Sequence, residues 1–206
     1  MKYEWKKHDR ELYGAKRTPT LITVPKQNYI MISGSGNPND QDFSKKAAAL
    51  YAFAYALKMD YKAAAIMNNN EVHDFAVYPL EVVWSLKHGD RPDRRESEYT
   101  IMIRQPHFIT ENMTNSVLER IKAKKPNSLY SEMRFDTMQD GKCIEILHIG
   151  SYDDEPASFE KMAQFAKDHG LTCKENSHRE IHLNNPKRVE TNRLKTILRY
   201  PIITSK

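Results

Sequence analysis

The stretch "HIGSYDDEPASFEKM", residues 148–162, reads as a strand end, a glycine turn, an acidic loop and a helix start. A similar line occurs far earlier, "ISGSGNPNDQDFSKKA", residues 32–47. Gly150 precedes Phe159 by nine positions, Gly34 precedes Phe43 by nine, and Lys161 matches Lys45. Two such loops raise the expectation that one structural unit is written twice.

The flanking segments agree with that expectation. Each loop follows a β-type run, "NYIMIS" (28–33) and "CIEILHI" (143–149). Each precedes a helical pattern: Phe43, Ala47, Leu50, Ala54 and Leu57 form one stripe, and Phe159, Met162, Phe165 and Ala166 another, which Gly170 closes. "YPLEVVWSL" (78–86) and "HREIHLNNP" (178–186) each set one glutamate in a strand-like run, Glu81 and Glu180. Then come "YTIMIRQP" (99–106) and "KTILRYP" (195–201), both with Thr-Ile, an arginine and an exit proline. The first unit has the longer helix-to-strand connection, residues 58–75, and "ITENMTNSVLERIKAKKP" (109–126) reads as a linking helix with Thr110 at its start. The expectation is one α+β domain over residues 1–206: a strand–helix–strand–strand module at about 20–107, the linking helix at about 109–126, and a second module at about 129–206. Such modules bury little apart, so they are expected side by side with pseudo-two-fold symmetry and a central ligand pocket at the seam.

Composition excludes several classes. Hydrophobic residues at 39% and charged residues at 29% suit a soluble globular chain. The longest apolar run, "AAALYAFAYAL" (47–57), is short of the roughly 20 residues a bilayer needs. The N-terminus is charged and lacks a secretory apolar core, so a cytoplasmic protein without membrane contact is expected. A net charge of +5 is modest, and the basic clusters "RPDRRE" (91–96) and "RIKAKKP" (120–126) are short, so no direct nucleic-acid binding is expected. The two cysteines, Cys143 and Cys173, form no disulfide framework or zinc spacing, and Cys143 reads as packing rather than nucleophile. His178 and His182 fall on a strand rather than a helix, and "SGSGNPND" has neither Walker nor dinucleotide spacing; no metal and no cofactor are expected.

Within "REIHL", alternation puts Glu180 and His182 on one side of the strand and Ile181 and Leu183 on the other. Such an acid is either an exposed sheet residue or a partly desolvated group that binds a cation or acts as a general base. Glu81, its counterpart, carries the same two readings, and the two acids are expected to converge near the axis. Tyr51 and Tyr55 lie one helical turn apart, Tyr78 and Trp84 bracket Glu81, and Tyr152 sits in the opening loop. An acid ringed by such groups suits planar, often cationic molecules.

The segments 148–162, "REIHLNNPKR", "LKTILRYPI", "YTIMIRQPHFIT" and "YIMISGSGNPND", with "ELYGAKRTPTLITVP" near the N-terminus, together resemble the GyrI-like small-molecule-binding family, in particular its stand-alone bacterial members. The resemblance implies a duplicated fold with a central pocket whose glutamate, matched here by Glu180, contacts hydrophobic cations among aromatic side chains. Related domains are effector-binding parts of multidrug-responsive transcription regulators, or gyrase inhibitors. Some stand-alone relatives hydrolyse the cyclopropane ring of DNA-alkylating natural products; there Glu180 would activate water and a tyrosine (Tyr78, Tyr55 or Tyr152) would polarise the electrophile. The chain departs from the pattern where relatives usually carry a tyrosine, an aspartate and a second tryptophan: here stand His182, Asn185 and Ser85. Binding or sequestration of hydrophobic, cationic or planar drugs or toxins is the first expectation. Detoxifying hydrolysis is the second, and a gyrase-inhibitor or transcription-related effector role without a DNA-binding module of its own is the third.

Overall fold

The computed structural model describes residues 1–37, 40–85, 98–174 and 177–203, so the basic cluster at 91–96 lies outside the described residues. In chain order the elements are β1 (Lys2–Tyr3), α1 (Trp5–His8), α2 (Arg10–Tyr13), β2 (Thr20–Val24), β3 (Gln27–Ser35), α3 (Gln41–Met67), β4 (Asp74–Phe75), β5 (Leu80–Ser85) and β6 (Glu98–Gln105). There follow α4 (Glu111–Lys124), β7 (Arg134–Met138), β8 (Gly141–Ile149), α5 (Glu155–Asp168), β9 (Ser177–His182) and β10 (Lys195–Pro201). Eight strands form one antiparallel sheet in the order β2-β8-β10-β9-β5-β6-β3-β7, so β5 and β9 are neighbours at its middle. No helix among the described residues is long and apolar enough to cross a membrane.

The predicted first helix continues nearly three turns further than its sequence stripe suggested. Residues 58–67, expected as connection, remain helical because Leu57, Tyr61 and Ala65 prolong the buried stripe at four-residue steps. The linking helix forms as α4, and the Thr110 hydroxyl accepts from the Met113 amide at 3.3 Å, as an N-cap does. The short N-terminal elements were not anticipated; β1 pairs with β4, and the Trp5 indole donates to the Val77 carbonyl at 3.0 Å.

Gly150 turns the second loop, but the first turns at Gly36 rather than at Gly34, the match of Gly150 in sequence. Gly150 has φ +136° and Gly36 has φ +109°, each with an aspartate four residues on, Asp154 and Asp40, close beside it. Gly34 instead lies within β3 opposite Tyr99, whose ring covers it so closely that a Cβ would come to 2.5 Å.

Directly paired residues in adjacent strands share a face. One face therefore carries Leu80, Val82 and Trp84 of β5, and Ile101 and Ile103 of β6. It also carries His178, Glu180 and His182 of β9, and Ile146 and His148 of β8. Helices α3 and α5 pack on this face: Phe43 stacks on Trp84 with centroids 6.2 Å apart, and Met162 and Ala166 cluster with Ile144, Ile146 and Leu198. The opposite face carries Glu81, Arg179, Met102, Arg104, Tyr29 and Arg199, and α1 and α2 lie against it through Tyr13 and Asp9.

Candidate functional site

The site is built on β9, hydrogen-bonded on both sides. Glu180 pairs with Leu198 of β10 and Val82 of β5, a placement that fixes its backbone in the most constrained part of the sheet. Alternation over "HREIH" puts His178 and His182 on the same face, one on either side of the acid. His178 Nε2 lies 3.1 Å from Glu180 Oε1, and His182 Nε2 lies 3.2 Å from Oε2. A carboxylate only accepts, so each ring donates through Nε2–H. The Glu180 side chain is 2% exposed, against 15% for His182. Burial pushes the Glu180 carboxyl upward, yet the hydrogen bonds from the two imidazoles outweigh it and hold the group ionised, below the usual carboxylate range. A buried charge of this kind persists only when its oxygens are satisfied.

Aromatic side chains surround the triplet. Phe159 of α5 meets His178 edge-on at 5.0 Å, and Tyr200 of β10 lies 5.7 Å from the same ring. Tyr152 tilts over His182 at 5.4 Å. The turn that carries Tyr152 is fastened by His148, which donates through Nε2 to the Ser151 carbonyl at 2.8 Å and accepts from the Ser158 hydroxyl through Nδ1 at 2.9 Å. His148 and His182 both pair with Thr196, so fastening and site are one strand apart on either side of β10.

The predicted residues divide between the two faces. Glu180, His182 and Tyr152 come together. Tyr51, from α3, hydrogen-bonds at the backbone of Leu80, the direct partner of His182, and burial pushes its phenol up. Trp84 pairs with His178 but is stacked on Phe43, and its indole nitrogen has no partner among the described residues. Tyr55 is 55% exposed on α3. Glu81 does not meet Glu180. It pairs with Ile181 and points to the opposite face, where Tyr13 donates to it at 2.8 Å and Arg179 at 2.7 Å. The physical reason is the two-residue period: Val82, not Glu81, stands opposite Glu180. Tyr78 belongs to that other side too, with its hydroxyl 2.6 Å from Asp9 and the Arg104 guanidinium over its ring at 4.9 Å.

His178, Phe159 and Tyr200 were not singled out as site residues. The signal for His178 was present: a glutamate midway between two histidines at i, i+4 on a strand puts all three on one face. Nothing in the sequence marked Phe159 and Tyr200 beyond their place in core patterns.

Cys143 is buried, and desolvation pushes its thiol up to about 12, which suits packing rather than nucleophilic attack. A cavity of about 540 Å³ opens at the far end of β3 and β6 between Ser33, Ser35, Asp42, Lys46, Glu98 and Thr100. Its Asp42 is already engaged by Lys46 at 2.7 Å and by Tyr99 at 3.2 Å.

Residues 17–203 match the sequence profile of the GyrI-like small molecule binding domain. A conserved protein from Listeria innocua is 32% identical over 98% of this chain and 100% of its own, with a TM-score of 0.87. A hydrolase from Listeria innocua is 30% identical over the same shares, with a TM-score of 0.86. The C-terminal domain of EcmrR shares the fold at 11% identity, covering 91% of this chain and 98% of that one with a TM-score of 0.56. No curated protein matches the sequence.

Proposed function

Because the chain belongs to the GyrI-like small-molecule-binding family, we propose that it is a single-domain receptor for hydrophobic, cationic or planar small molecules, held at Glu180 on the seam between β5 and β9. The inner strand order β8-β10-β9-β5-β6-β3 supports reading the fold as two joined modules, with that seam as their meeting line. One observation carries the proposal: a 2% exposed carboxylate at mid-sheet, hydrogen-bonded by His178 and His182 and set among Phe159, Tyr200 and Tyr152. Arg179, next in sequence, is spent on the opposite face with Glu81 and Asp140. An aromatic-walled negative charge is worth most to a desolvated cation. The test compares fluorescent cationic dyes with neutral analogues of matched shape. Glu180→Gln is expected to weaken the cations about tenfold or more and the neutral dyes hardly at all; equal losses for both dye classes contradict the reading.

The Listeria hydrolase supports a second reading, turnover at the same acid. The reaction class inferred is addition of water to a strained electrophilic ring such as the cyclopropane of a DNA-alkylating natural product. A hydrogen-bonded carboxylate and imidazole are adequate to take the proton of the attacking water. Mass spectrometry of a cyclopropane-bearing alkylator incubated with the protein tests it. Ring-opened product above the buffer rate supports the reading, and intact alkylator with binding retained rejects it.

A further inference from the structure

A ligand drawn to Glu180 meets an acid whose two oxygens are already occupied. His178 covers Oε1 at 3.1 Å and His182 covers Oε2 at 3.2 Å. The carboxylate is 2% exposed and the His182 side chain 15%, so the accessible polar surface of the pair is the imidazole. With Nε2 of His182 donating to the carboxylate, Nδ1 is an acceptor whenever the ring carries a single proton. Among the described residues no hydrogen-bond partner falls on Nδ1; the ring's further contact is Tyr152, at 5.4 Å with planes 32° apart. The negative charge behind the ring strengthens that lone pair, as a carboxylate does for any imidazole it orients.

We propose that His182 sets the ligand class of the site: cations that carry an N–H bond, such as protonated amines and amidines, in preference to quaternary ammonium or phosphonium ions. The inference rests on the small-molecule-binding reading above. An N–H cation donates its proton to Nδ1 while Glu180 balances its charge through the ring. A quaternary cation has the charge without the proton, and the imidazole keeps it from the carboxylate it would need to approach. Tyr152 and Phe159 supply flat apolar walls for the rest of the molecule without discriminating between the two kinds of cation.

The test uses a planar dye in two forms, one bearing a protonated tertiary amine and the other its N-methylated quaternary derivative. Dissociation constants are read by fluorescence anisotropy at about pH 8, where a free imidazole is neutral and an alkylamine protonated. The wild-type protein is expected to bind the N–H form about tenfold more tightly, the worth of one charge-assisted hydrogen bond. In His182→Phe the ratio collapses towards one, and in His182→Gln, whose amide oxygen accepts, it recovers in part. A wild-type ratio of one, or a ratio that survives in His182→Phe, overturns the inference while leaving small-molecule binding intact. Failure of wild type to bind either form overturns the binding reading and the inference with it.

Discussion

Glu81 and Glu180 lie on neighbouring strands at the centre of the sheet, one register step from direct pairing, and face opposite sides of it. On one side Glu180 is held by two histidines. On the other Glu81 is held by Tyr13 and by Arg179, which also bridges to Asp140 at 2.8 Å. The separation keeps the positive charge of Arg179 away from the face that carries Glu180, although the two residues are adjacent in sequence.

Arg179 is therefore a structural hub, 2% exposed between two carboxylates. Arg179→Ala strands both acids in the interior and is expected to cost about 3–5 kcal/mol. Urea unfolding measures it; the double change Arg179→Met with Glu81→Gln should cost less than the sum of the two single changes. Additive losses would mean the pair is not coupled.

Gly34 leaves room for the Tyr99 ring, to which a Cβ would come within 2.5 Å. Gly34→Ala should lower stability by about 1–3 kcal/mol through overpacking. The same substitution in a Tyr99→Leu background is expected to cost much less, and an undiminished cost would place the strain elsewhere.

Tyr78 and Tyr152 separate scaffold from site. Tyr78→Phe removes the 2.6 Å hydrogen bond to Asp9 and should cost about 1.5–3 kcal/mol in unfolding free energy, the range for a bond to a charged acceptor. Tyr152→Ala strips the ring from His182 and should reduce affinity for an aromatic cation by about tenfold. Calorimetric titration alongside chemical unfolding distinguishes them, and a reversed pattern would reverse the assignment of the two tyrosines.

Acid should expose the state of Glu180. Burial pushes this carboxyl up, but the hydrogen bonds from His178 and His182 prevail, and it titrates below its ordinary 4.5. A carboxyl whose pKa is lowered on folding stabilises the fold above its unfolded value and loses that contribution as pH falls through the folded one. From about pH 5 to about pH 3 the wild type should lose more unfolding free energy than Glu180→Gln. Parallel curves would show that the carboxylate is not held ionised.

Much of this was legible in the sequence because local chemistry and tertiary placement agreed. The stripe from Phe43 to Leu57, the Thr110 cap and the alternation over "REIHL" are short-range patterns, and the structure keeps them. The pairing of Glu81 with Glu180 was misjudged because strand register depends on distant partners: similar segments differ by one residue in phase, and one residue exchanges faces. The spacing match of Gly34 to Gly150 does not carry over to the backbone for a related reason. "SGSG" offers two glycines, and only the backbone separates Gly36, with its positive φ, from Gly34, held by the Tyr99 ring. The N-terminal segment carries too short a pattern to reveal that Tyr13 and Asp9 reach Glu81 and Arg104 across the fold.

The most direct test of the account follows the imidazole and amide resonances of the uniformly isotope-labelled protein while a cationic aromatic amine is titrated in. The His178 and His182 rings are expected to shift together and to saturate at the concentration that saturates dye fluorescence. Saturation with both rings unmoved, while amides around Ser33, Asp42 and Lys46 shift instead, would place the ligand in the cavity between β3 and β6 and contradict a site at Glu180.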